Sequence, residues 1–85
     1  MSKHLLSYVT PQRIALTNIN IGEGITVSTI QLPLDQSLPN PFETMVFTED
    51  ETMNEYQVRS ATLSEALLAH IDAIAFAIKE IDNGL

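Results

Sequence analysis

The run Thr62–Asp82, TLSEALLAHIDAIAFAIKEID, decides how this chain folds. Thr62 followed three positions later by Glu65 is a capping-box pattern: the hydroxyl accepts an early backbone N–H and the carboxylate reaches back toward the start of the helix. Neither proline nor glycine interrupts the stretch before Gly84, and Asn83-Gly84 supplies the left-handed stop on which helices often end. At 100° per residue, Leu63, Leu67, Ile71, Ile74, Ile78 and Ile81 fall within about 40° of one line, the stripe a helix is expected to bury. Phe76 falls about 180° from Leu67, among Glu65, Asp72 and Lys79, with Ala69, Ala73 and Ala77 beside it. Either Phe76 is a lone exposed apolar side chain, or Phe76 and those alanines together form a close contact with a partner, most simply in a symmetric dimer. Ala69, Ala73, Phe76 and Ala77 are therefore the candidate oligomer interface.

Upstream, the chain reads as short strands that need this helix to cover them. His4–Thr10 is a strand candidate closed by Thr10-Pro11, because proline cannot continue a ladder. Arg13–Ile21 is rich in β-branched residues, and its alternation slips near Asn18, as it does at a bulge. Gly22-Glu23-Gly24 then turns the chain into Ile25–Leu32 as a hairpin. Pro33–Pro41 holds three of the four prolines and reads as a rigid surface connection. Phe42–Phe47 is extended, an acidic tip follows over Glu49–Glu55, and Tyr56–Ser60 is a last strand that feeds the helix. The expected fold is α+β: an antiparallel sheet of four to five strands followed by one long C-terminal helix packed on one face. One domain, residues 1–85, contains it, with strands and loops over 1–60 and the helix over 62–82.

Composition narrows the function classes. The chain has 85 residues, 45% hydrophobic and 18% charged, so it is expected to be globular and soluble, with no membrane span. A core this small is marginal, and association into a homo-dimer or higher oligomer is a natural supplement. No cysteine is present, which removes disulfides, thiolate metal sites and thiol catalysis. Eleven acidic against four basic residues give a net charge of −7, which repels nucleic-acid backbones and anionic membranes and favours a basic partner. Plain solubility is the competing account of that acidity. Nothing at the N-terminus resembles a secretion signal, so a cytoplasmic location is expected.

Few residues offer chemistry. His70 lies at the border of the predicted buried stripe, where Glu43 or Arg59 is expected within reach; it is a carboxylate-bonded histidine, a ligand contact or, paired with Glu43, an acid/base couple. Arg59 precedes the helix N-terminus, where it either holds an anion or pairs with Glu43 or Glu55. Ser28 and Thr29 sit inside a strand, where hydroxyls usually satisfy neighbouring groups. No metal-ligand spacing, phosphate-binding glycine loop or nucleophile–base pair can be assembled, so neither a metal, a cofactor nor an enzymatic activity is expected.

Taken together, RIALT, TVSTIQLPLD, FETMVF and RSATLSEALLAH resemble a family of short bacteriophage proteins of uncharacterised function. That family runs R-V-A-L-T, V-S-T-x-x-L-x-L-D-H, a Gly/Pro-rich loop, F-E-T-M-V-F and R-Y-x-T-x-x-E-A-x-x-G-H, and the similarity spans about Arg13 to His70. Gln36, Ser60 and Ala69 depart from it, standing where the family has histidine, tyrosine and glycine, which weakens any scheme needing two histidines. Carried over by position are Ser28, Thr29, Asp35, Glu43, Thr44, Arg59, Thr62 and His70, a polar set that implies a binding site or network. The resemblance implies a phage context, the cytoplasm of an infected bacterium, and no mechanism. With the small size, the acidity and the partner-ready helix face, it leads to the expectation of an accessory protein that inhibits a basic or nucleic-acid-binding host protein of a defence system. Sequestration of a nucleotide ligand by Arg59, Thr62, Ser28, Thr29 and His70, or a structural place in the virion, are the alternatives.

Overall fold

A computed structural model describes residues 11–19, 24–33, 39–48 and 56–83. Four strands, β1 (Gln12–Ile19), β2 (Ile25–Gln31), β3 (Phe42–Thr48) and β4 (Gln57–Ser60), precede one helix, α1 (Leu63–Asp82). They form an antiparallel sheet in the order β1-β2-β3-β4, each strand pairing with its neighbour in sequence. The helix packs across one face, and the fold is α+β. The expected strand at His4–Thr10 and the acidic tip at Glu49–Glu55 lie outside the described residues.

Turn chemistry explains the hairpins. Gly24 has φ of 78°, a left-handed conformation that a side chain would oppose, just before Ile25 pairs with Ile19. Between β2 and β3 the Leu32 N–H donates to the Pro41 carbonyl at 2.7 Å, closing the base of the proline-rich connection. The irregularity in β1 lies between Arg13 and Ala15 rather than near Asn18, since the pairing from Ala15↔Thr29 to Ile19↔Ile25 is regular. A run of polar and apolar residues that breaks alternation locates a bulge only to within a few positions when both faces of the strand are half covered.

Registered pairs place the same-face residues in rows across the sheet. Under the helix lie Ala15, Thr29, Thr44 and Val58 in one row and Thr17, Val27 and Val46 in the next. Ile25, Val27, Val46, Ala73 and Ala77 make the core, with Ile19, Tyr56, Ile74, Phe76 and Ile81 packed around it.

The helix begins and ends close to where its sequence predicts, but it is turned. Ala66, His70, Ala73 and Ala77 are its buried residues. Leu63, Leu67, Ile71 and Ile78, expected to be buried, are 50%, 42%, 63% and 45% exposed. The reason is steric: alanines let the helix axis approach the sheet, whereas a stripe of leucine and isoleucine would hold it further off and leave the short inward side chains of the sheet, three of them threonines, without close neighbours. Phe76 is likewise not on a wet face. Its ring meets Tyr56 with centroids 5.4 Å apart, tilted by 48°, at the margin of the core. Ala73 and Ala77 are fully buried against the sheet and Ala69 is half-buried, so the expected oligomer contact is occupied within the chain.

Candidate functional site

The polar residues singled out from sequence divide between the two faces of the sheet. Alternation sends Thr29 and Thr44 inward and Ser28 and Glu43 outward. Arg59, opposite Glu43 in the β3–β4 pairing, also faces outward. Thr62 sits at the helix entrance, and Asp35 lies outside the described residues.

Inward, a hydrogen-bonded chain of four side chains runs beneath the helix. His70 Nε2 lies 2.9 Å from Thr17 Oγ1 and Nδ1 lies 2.8 Å from Thr29 Oγ1, while Thr29 Oγ1 lies 2.8 Å from Thr44 Oγ1. Thr29 and Thr44 are wholly inaccessible and His70 is 6% exposed. Burial pushes the imidazole below its ordinary value of 6.5, so it is neutral at pH 7. A neutral imidazole has one donor and one acceptor, and two proton arrangements satisfy the chain equally. Either Thr29 donates to Nδ1 and Nε2–H donates to Thr17, or Nδ1–H donates to Thr29 and Thr17 donates to Nε2. Protonated His70 would also find two acceptors; what opposes protonation is the charge buried without a counter-ion in the chain.

His70 is thus not bonded to Glu43 or Arg59, which project from the opposite side of the sheet. A helix wheel places residues around an axis and says nothing about which strand residues lie beneath. The chain Thr17–His70–Thr29–Thr44 ties β1, β2, β3 and the helix together at one point, buried at Thr29, Thr44 and His70 and half-buried at Thr17. Thr17 escaped the sequence reading, although its inward parity in β1 matches that of Thr29 in β2.

Outward, Gln57 Nε2 donates to Glu43 Oε2 at 2.7 Å, and the Arg59 guanidinium donates twice to the Asn40 carbonyl, from Nε at 3.1 Å and from Nη2 at 2.9 Å. The fork of Arg59 therefore pins the end of the proline-rich connection to β4 rather than closing on Glu43. Asn40 as its partner was not foreseeable, because carbonyl acceptors carry no mark in sequence. Around these groups the outward rows set Leu16, Ser28, Met45 and Gln57 side by side, flanked by Arg13, Ile30, Glu43 and Arg59 on one side and Asn18, Thr26 and Phe47 on the other. The result is a mixed face, with Leu16, Ile30, Met45 and Phe47 set among amide, hydroxyl and charged groups.

At the helix entrance Thr62 Oγ1 accepts from the Glu65 N–H at 3.2 Å, and Glu65 Oε1 accepts from the Ala61 N–H at 3.2 Å. This is the predicted capping box with the carboxylate reaching one residue further back. It employs Thr62 in capping rather than in ligand contact. At the other end Asn83 closes the helix with φ of −89°, and its N–H donates to the Lys79 and Glu80 carbonyls; Asn83 is therefore not left-handed, and Gly84, the other half of the expected stop, lies outside the described residues. Beside β4, Tyr56 donates to Asp72 Oδ2 at 2.7 Å and lies 3.3 Å from the Ala69 carbonyl. Burial and then Asp72 push its phenol up to about 12.

Arg59, Thr62, Ser28, Thr29 and His70 consequently do not line one cavity. Among the described residues no group of three or more His, Asp or Glu side chains is arranged to hold a metal ion, and no helix is long and apolar enough to cross a membrane. No protein-family model, curated protein or solved structure matches the chain.

Proposed function

We propose that this protein is a small non-enzymatic accessory protein that binds and inhibits a protein of the host cell. The observation that carries the reading is the sheet face turned away from the helix. There Leu16, exposed, and Ile30, Met45 and Phe47, half-buried, lie around Ser28, with Arg13, Glu43, Gln57 and Arg59 at the edge. A central apolar patch with a polar rim that includes arginine is the usual anatomy of a protein-binding surface. Fixed by paired strands, it is also a rigid surface, which lowers the entropy lost on binding. The histidine chain, by contrast, is buried at Thr29, Thr44 and His70.

The resemblance to short bacteriophage proteins supports an infected bacterium as the cell and a component of a defence system as the target. The net charge of −7 supports a basic target, such as a protein that itself binds nucleic acid. Affinity capture from the bacterial host with the wild-type protein and a Met45→Glu variant tests this. One host protein recovered in stoichiometric amount with the wild type and lost with Met45→Glu is the expected result. Identical eluates from the two proteins, or no host protein in either, refute the proposal.

A further inference from the structure

We infer that the exposed flank of α1 is a self-association surface on which a second copy of the chain lays its own helix antiparallel. Turning the Ala66–His70–Ala73–Ala77 line toward the sheet leaves Leu67, Ile71 and Ile78 on a flank rotated away from it by roughly 110°, at 100° per residue. Phe76, Ala69 and Asp72 meet Tyr56 on the β4 side, so this flank leans over β1. Leu63, Leu67, Leu68, Ile71 and Ile78 are each between 42% and 66% exposed. Together they present on the order of 500 Å² of apolar surface, the size at which a patch on a soluble protein marks an interaction site.

Three observations identify the occupant. The first is spacing. Leu67, Ile71, Ile74, Ile78 and Ile81 follow one another at intervals of four, three, four and three, the spacing by which one helix packs along another; Leu67, Ile71 and Ile78 form its exposed ridge, and Ile74 and Ile81, half-buried against the core, form its inner edge.

The second is charge. In a chain carrying −7, no ionisable side chain stands on this side between Leu63 and Ile78, while Glu65, Asp72 and Lys79 project about 100° or more away from the seam. Two copies therefore meet where their mutual repulsion is least. Asp82 is the exception, at the C-terminal end of the flank. In an antiparallel pair with Ile71 against the partner's Ile74, Leu67 lies against the partner's Ile78 and Asp82 lies beside the partner's Leu63. That places a carboxylate at the positive end of the opposing helix, twice by symmetry, whereas a parallel pair would set the two Asp82 carboxylates together.

The third is area. Two such flanks, wholly covered, remove on the order of 1,000 Å² from water, the size of a weak, reversible interface. The dimer leaves both outer sheet faces free.

Sedimentation equilibrium on the whole chain, wild type and Ile71→Lys, tests the association, and the absence of native cysteine lets introduced cysteines report its geometry. The wild type is expected at twice the 9.4 kDa chain mass. Ile71→Lys should weaken association by about 100-fold, as expected for a charge placed at the centre of a seam, while its circular dichroism stays unchanged. An oxidised mixture of Leu67→Cys and Ile78→Cys should give the mixed disulfide pair in excess over either like pair. A wild type that stays at 9.4 kDa at several hundred micromolar overturns the proposal, whether or not the flank then proves to bind another protein. Predominant linkage of Ile78→Cys to itself also overturns it, because that is the mark of a parallel pair.

Discussion

The two sides of α1 invert the usual relation between hydrophobicity and burial. Its small side, Ala66, His70, Ala73 and Ala77, is buried, and its large aliphatic side, Leu63, Leu67, Ile71 and Ile78, is not. What is buried in a small domain is decided by how closely an element can approach, not by how apolar its residues are. Alanine brings the helix backbone down to the threonines and valines of β2 and β3, and one histidine fills the remaining depth with two hydrogen bonds. Larger side chains would bury more area each but hold the layers apart.

Substitutions on the two sides should therefore differ in kind. Ala73→Leu is expected to cost the most, on the order of 3 kcal/mol, because space for the three added carbons has to be found at a fully buried site. If urea denaturation shows a loss under about 1 kcal/mol, the close-approach account fails. His70→Ala removes the partner of two hydroxyls at once and should cost about 2 kcal/mol.

The His70 contribution also has a pH signature. Its folded-state value is depressed, so below about 6.5 the unfolded chain takes up a proton that the folded chain refuses, and stability falls as pH falls. His70→Gln should flatten the denaturation midpoint between pH 7 and 5; an equally steep dependence in the variant would remove His70 from the account.

Tyr56→Phe should cost about 1 kcal/mol by leaving Asp72 without its 2.7 Å donor. The Tyr56 phenol should not ionise until near pH 12, seen as the difference in alkaline absorbance between the wild type and Tyr56→Phe, which keeps Tyr8. Stability should fall above pH 10, where the unfolded phenol loses its proton first. Smallest of all, Ile71→Lys should change monomer stability by less than about 0.5 kcal/mol, which is the sharpest contrast with Ala73→Leu two residues away. A large loss there, measured at a concentration where the protein is monomeric, would mean that the flank is covered within the chain.

Most of the fold was legible in the sequence. Thr62 and Glu65 mark the helix start, the glycine-rich turn sets β1 against β2, and inward and outward residues of Phe42–Thr48 alternate as a strand requires. The rotation of the helix was not legible, because a hydrophobic wheel weighs Leu67 above Ala66 and has no term for the distance between layers. The polar set was only half legible for a related reason: FETMVF and RSATLSEALLAH name Glu43, Thr44, Arg59 and His70 together, but strand parity puts them on opposite faces. Thr62 was read correctly as a cap, and the same reading is what removes it from a binding site.

The neighbour-to-neighbour order of the sheet has a consequence for how the molecule comes together. Each strand pairing closes only the few residues of one turn or connection, as in Ile19 with Ile25, so the meander can assemble quickly and from local contacts. The helix supplies the long-range links: Ala73 and Ala77 pack on Ile25, Val27 and Val46, and His70 reaches back 41 residues to Thr29 and 53 to Thr17. The cross-link between the sheet and the helix therefore spans most of the chain, and it can close only once the helix has come down on the paired strands.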